Sequence, residues 1–119
     1  MGSPRLDLVR KAILSTCSND CDWIDDKAAL RVSTDRGNCG FTAAEIRMLT
    51  KTWVAGGGEI LSANELRQNW RHRREFYYFV VIKGIDEFPN GLFVEIELTE
   101  EDENDPIVSL LNAHPQTVL

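Results

Sequence analysis

The sequence predicts an α+β fold: N-terminal helices packed on a three- or four-stranded antiparallel sheet that ends in a C-terminal meander. Two observations carry this expectation. Apolar residues recur at three- and four-residue intervals through the first half of the chain, the period of an amphipathic helix. From Glu75 onward the period becomes two, the period of a strand. The length, 119 residues, suits one domain spanning residues 1–119, because a second hydrophobic core would be too small to hold itself together.

Ser3 followed by Pro4 is a helix start, with Ser as cap and Pro in the first turn. Leu6, Val9 and Ile13 then lie on one face, so residues 4–15 read as a helix that Ser18-Asn19-Asp20 ends. Residues 22–33 carry two patterns. Asp22 would cap a helix from Trp23 towards Leu30, while Ala29 to Ser33 alternates like a strand; the helix is preferred. Residues 33–40 form a loop by composition. Thr42-Ala43-Ala44-Glu45 is a capping box, in which hydroxyl and carboxylate each satisfy a backbone N–H. The helix it opens carries Ile46, Leu49 and Trp53, and Gly56-Gly57-Gly58 stops it. Glu59-Ile60-Leu61 reads as a short edge strand. Ser62-Ala63-Asn64-Glu65 repeats the capping pattern and would open a helix through Leu66 and Trp70.

Phe76, Tyr78, Val80 and Ile82 share one strand face, and Tyr77, Phe79 and Val81 share the other. A strand apolar on both faces belongs inside a sheet. Pro89-Asn90-Gly91 supplies turn chemistry. Beyond it Leu92, Val94, Ile96 and Leu98 define a buried face, opposite a mostly wet face of Phe93, Glu95, Glu97 and Thr99. An acidic turn spans residues 100–106. Residues 107–113 fit a helix or a third strand, and the strand is preferred because a meander is the simplest continuation.

Apolar residues at 43% and charged residues at 27% exclude intrinsic disorder for the body of the chain. The longest apolar run, residues 76–82, is far short of the roughly 20 residues a membrane helix needs, so no membrane partner is expected. Residues 1–12 lack the apolar core of a secretion signal, and a cytoplasmic location is expected. Cys17, Cys21 and Cys39 make no disulfide framework and read as free thiols. Cys17 and Cys21, with Cys39 and one of the two histidines, would fill a tetrahedral zinc site, but zinc ribbons normally show paired knuckles and only one half-pair stands here, so free thiols are preferred.

The net charge of −6 conceals two unlike halves. Residues 1–83 hold all 13 Lys and Arg against 10 Asp and Glu, a balance of +3. Residues 84–119 hold nine acids and no Lys or Arg, a balance of −9. An acidic surface of this kind suits a basic protein partner and repels nucleic-acid phosphate.

Three constellations could carry chemistry. Arg67, Arg71 and Arg74 recur at helical spacing, with His72 and Arg73 beside them, and guanidinium forks suit phosphate; RNA contact would run through this stripe. A solvated face, or pairing with the protein's own acids, explains the same stripe. His72 and His114 are the two histidines; with Arg71, Arg74 and Lys83 they could supply the acid, base and phosphate-binding cations of a metal-independent ribonuclease. Glu95, Glu97 and Asp86 could hold a hard cation. A metal nuclease of the Asp…Glu-x-Lys kind would want a lysine where Glu97 stands, so neither metal nor cofactor is expected.

The layout of helices followed by an antiparallel meander is similar to that of the small ribonuclease toxins of bacteria. The likeness is architectural and no motif carries it. The leading expectation is therefore a small interaction module, of an immunity, antitoxin-like or regulatory kind. Its docking residues would be Glu95, Glu97, Glu100, Glu101, Asp102, Glu103 and Asp105, with Arg67 as a basic contact. The ribonuclease is the alternative.

Overall fold

The computed structural model describes residues 5–64 and 76–116. The amphipathic stripe at the start of the chain forms α1, Leu6–Leu14, which buries Leu8, Val9, Ala12 and Ile13. Ser3 and Pro4, the expected cap, lie outside the described residues. Lys51 closes the other end of the helix by donating to the carbonyls of Ile13 and Ser15. A short 3-10 turn, Ser18–Asp20, follows.

The helix expected in residues 22–33 forms, but it starts later. Cys21–Trp23 is a strand, β1, and α2 runs Asp26–Thr34. Asp25, rather than Asp22, is the N-cap, its carboxylate accepting from the Ala28 amide at 2.8 Å. A second 3-10 turn, Arg36–Asn38, leads to α3, Ala43–Ala55. Here the capping box is complete: Glu45 N–H donates to Thr42 Oγ1 at 3.1 Å, and Thr42 N–H donates to Glu45 Oε1 at 2.8 Å. Such a cap contributes about 1 kcal/mol. The buried seam of α3 is Ile46, Thr50 and Val54. Leu49 and Trp53, expected in the core, are only partly buried against it. Thr50 enters the core because its hydroxyl donates to the Ile46 carbonyl at 2.9 Å and exposes no unpaired group there.

The remaining strands are β2 (Leu61–Asn64), β3 (Phe76–Ile82), β4 (Leu92–Glu100) and β5 (Ile107–Pro115). The sheet has five strands in the order β1-β5-β4-β3-β2, and it is mixed. β2 to β5 pair antiparallel, whereas β1 lies parallel to β5 with Cys21 opposite Val108 and Trp23 opposite Leu110. This corrects the expected three or four antiparallel strands. Three residues are too few to show a period, and a parallel partner must come from far along the chain, so β1 left no local signal. The sheet also corrects the second capping box. Ser62 pairs with Tyr78 and Ala63 with Tyr77, so the segment extends a strand where a cap was expected. A ladder satisfies these backbone groups as well as a cap would, and it adds packing against β3. The helix expected through Leu66 and Trp70 lies outside the described residues.

The three α-helices among the described residues cover one sheet face. Val80, Ile82, Leu92, Val94, Ile96, Val108 and Leu110 meet Val9, Ile13, Val32, Ile46 and Val54 in one buried cluster. Each such side chain contributes about 1.5–3 kcal/mol on leaving water. The β3–β4 connection turns at Phe88 and Gly91. Gly91 N–H donates to Phe88 O at 2.8 Å, and its φ of 100° favours glycine. A Cβ there would sit 2.6 Å from Val81 Cγ1. No helix among the described residues is long and apolar enough to cross a membrane.

Candidate functional site

β4 alternates strictly, so its two faces are fixed by sequence. Leu92, Val94, Ile96 and Leu98 belong to the core, which turns Phe93, Glu95, Glu97 and Thr99 away from the helices. The expectation that this second face is wet is wrong at its centre. Glu95 is 7% exposed and Glu97 is 2% exposed. Alternation reports which face a residue takes, but not whether that face meets water. β4 is the middle strand of five, and its register flanks Glu95 with Phe79 on β3 and Asn112 on β5. Both residues interact within the protein, and Glu97 Oε1 is buried with no hydrogen bond to that oxygen. Neither offers itself to a partner's surface.

The acids that do face solvent are those of the β4–β5 turn: Glu100, Glu101, Asp102, Glu103 and Asp105. A register shift between Leu98 and Glu100 ends the alternation just before the turn. Thr99 Oγ1 secures that irregularity by donating to the Ile107 carbonyl at 3.0 Å. Within the turn, Asp105 N–H donates to Asp102 O at 3.1 Å and Asn104 N–H to Asp102 Oδ1 at 2.9 Å. Asp102 thus braces the turn through both its side chain and its backbone carbonyl. Pro106 is buried beneath it.

Two cations from α1 and its approach reach this turn. Arg5 Nε lies 3.1 Å from Glu101 Oε1, and Lys11 Nζ donates to the Glu103 carbonyl at 2.7 Å. The pairing expected of the arginine stripe lies outside the described residues, and Arg5 and Lys11 are two contacts that the sequence does not single out. No local pattern could have found them, because Lys11 and Glu103 are 92 positions apart. Lys11 takes a carbonyl oxygen, which leaves the Glu103 carboxylate outside that bond.

At the other end of the β4–β5 ladder, the outer sheet face carries an aromatic row. Tyr77 and Phe79 have ring centroids 6.0 Å apart, Phe79 and Phe93 stack at 5.2 Å, and Phe93 and His114 stack at 4.8 Å. His114 is therefore fixed on the sheet by a ring contact, and its Nδ1 lies 3.0 Å from the Pro115 carbonyl. Register places Glu95 one step diagonally from His114, since His114 opposes Phe93 and Asn112 opposes Glu95. Lys83 follows the end of β3 at this same end of the sheet, is exposed, and donates to Asn90 O at 3.1 Å. Of the aromatic pair Tyr77 and Tyr78, only Tyr77 faces this side; Tyr78 is buried among the core residues.

The acidic turn and His114 thus stand roughly 20 Å apart along β4 and β5. They are two separate places. His72, Arg67, Arg71 and Arg74 lie outside the described residues, as does the stripe they were expected to form. Cys21 is buried in the core, and Cys17 and Cys39 are exposed. Burial pushes the Cys21 thiol above its ordinary range, against the opposing pull of the Lys51 and Arg47 cations. Among the described residues no cluster of three His, Cys, Asp or Glu is placed to hold a metal. Searches against protein-family models, curated proteins and solved structures find no match to this chain.

Proposed function

We propose that the protein is a non-enzymatic interaction module, of the immunity, antitoxin-like or regulatory kind, whose β4–β5 turn docks on a basic partner. The supporting observation is the turn itself: five exposed carboxylates on a backbone held by Asp102 at the end of two long strands. A turn braced by its own hydrogen bonds has less freedom to lose on binding than an unbraced loop. Concentrated negative charge speeds and orients encounter with a positive surface more than it deepens affinity. The docking set is accordingly Glu100, Glu101, Asp102, Glu103 and Asp105, without the buried Glu95 and Glu97.

A photo-crosslinker at Glu103 would capture the partner, and association kinetics would then be measured against salt. Changing the five acids to Gln or Asn is expected to slow association about tenfold or more at low salt, with little change in dissociation. An unchanged association rate and salt dependence would sink the proposal.

A second reading is favoured by one specific relationship, the diagonal placement of His114 and Glu95 on a common sheet face. In that reading His114 and Lys83 meet the RNA, and the buried Glu95 acts only through the imidazole. Purified protein would then cleave RNA in EDTA, and inert preparations across a panel of RNAs would count against it.

A further inference from the structure

We propose that the groove between the end of α3 and the β3–β4 connection binds a small apolar carboxylate. The groove is open to solvent on one side and offers about 420 Å³. That is within the ~300–1,000 Å³ range of small-molecule sites, at its lower end. Leu49, Trp53, Ile82 and Ile85 supply its apolar lining, together with Gly56 to Gly58. It stands apart from the acidic turn and does not depend on the function proposed above.

The polar groups of these walls are satisfied internally. Gly56 N–H donates to Thr52 O at 3.0 Å, Gly57 N–H to Val54 O at 3.0 Å, and Gly58 N–H to Trp53 O at 2.8 Å. Trp53 Nε1–H donates to the Glu59 carbonyl at 3.2 Å. An occupant therefore meets hydrocarbon and the indole, and does not have to break backbone hydrogen bonds. The indole lies flat against Gly58, where a Cβ would approach its ring to 2.4 Å. Glycine here is what lets Trp53 turn towards the groove instead of standing out from it.

Two side chains at the mouth remain for polar recognition, the Thr52 hydroxyl and the Lys83 ammonium, both on exposed residues. Lys83 spends one N–H on Asn90 O, and an ammonium has three. It is the one charged residue in the lining. The last carbonyls of α3 would repel an anion, but the glycine amides cap them, so the carboxylate belongs at the Lys83 side. An apolar body with one negative head group matches this lining, whereas a nucleotide or a cation does not.

The test is titration of the full-length protein with 3-phenylpropanoate and with its neutral amide, followed by the Trp53 indole N–H resonance, which Trp53→Phe assigns. Saturable shifts at Trp53 and Gly57 with a Kd on the order of 0.1 mM are expected for the acid. The amide should bind about three- to fivefold more weakly, the worth of an exposed ion pair. Lys83→Met should bring the acid down to the amide's affinity and leave the amide unchanged. Thr52→Glu, which adds a like charge at the mouth, should weaken the acid alone. No saturable shift, or an acid whose affinity survives Lys83→Met, overturns the assignment. Equal affinity of acid and amide also overturns it, and would mark an apolar groove for a protein side chain instead.

Discussion

Phe93 and His114 stack across β4 and β5 with ring centroids 4.8 Å apart and 19° between their planes. The contact fixes the imidazole on the outer sheet face, and it separates a packing role for His114 from a chemical one. His114→Phe keeps a ring in the stack and should leave the unfolding midpoint nearly unchanged. His114→Ala should cost about 0.5–1.5 kcal/mol for the lost ring pair, measured by urea denaturation. RNA cleavage that survives in the stable His114→Phe protein would rule out catalysis by this residue.

Glu97 tests the boundary between the acidic turn and the sheet. As a nearly inaccessible, engaged carboxylate it should behave as a structural group. Glu97→Ala is expected to destabilise the fold by about 1–3 kcal/mol, because truncating a side chain that is 2% exposed leaves a space in the packed sheet. Glu103→Ala, at the exposed turn, should leave stability within about 0.5 kcal/mol. Chemical denaturation of the two variants side by side decides it, and similar losses would mean the turn is structural as well.

Gly58→Ala places a methyl group against the Trp53 ring, at a separation that side chains do not tolerate. Either the indole or the helix end must move. A loss of about 1–3 kcal/mol is expected, together with a changed Trp53 environment in fluorescence or NMR. Gly56→Ala meets only backbone oxygen at 3.4 Å and is the matched control.

The three thiols should divide by accessibility. Cys17 and Cys39 should react promptly with a disulfide reagent in the native protein, and Cys21 only as the chain unfolds. The raised Cys21 pKa also fixes a sign. Its neutral form is favoured in the folded state, so its contribution to stability is complete below the ordinary thiol value of 9.0. That contribution falls as pH rises above that value towards the raised folded one. Cys21→Ala should flatten this alkaline decline in stability curves, and an unaltered slope would show that another group causes it.

Much of the fold was legible because its signals are local. The Thr42–Glu45 box lies within one helical turn, and the alternation of β3 and β4 needs no partner to be seen. The strand preferred for residues 107–113 is present as β5, and α2 starts late because Asp22, the expected cap, pairs with Ser109 in the sheet. What escaped depends on residues far apart. β1 exists through its pairing with β5, and Ser62 becomes a strand residue through Tyr78. The candidate site divides the same way. Composition located the acidic stretch, whereas the contacts of Arg5 and Lys11 with it, and the aromatic row leading to His114, required the sheet to be assembled.

The sequence by itself determined the α+β class, the faces of the central strands and the concentration of negative charge after residue 83. Those follow from periods of a few residues and from composition. Only the tertiary structure decided that this charge has two fates. Glu95 and Glu97 lie within a five-stranded sheet and are engaged there, while Glu100 to Asp105 remain in water. Neighbours from strands distant in sequence determine whether a carboxylate keeps its solvent, and spacing along one strand carries no record of them.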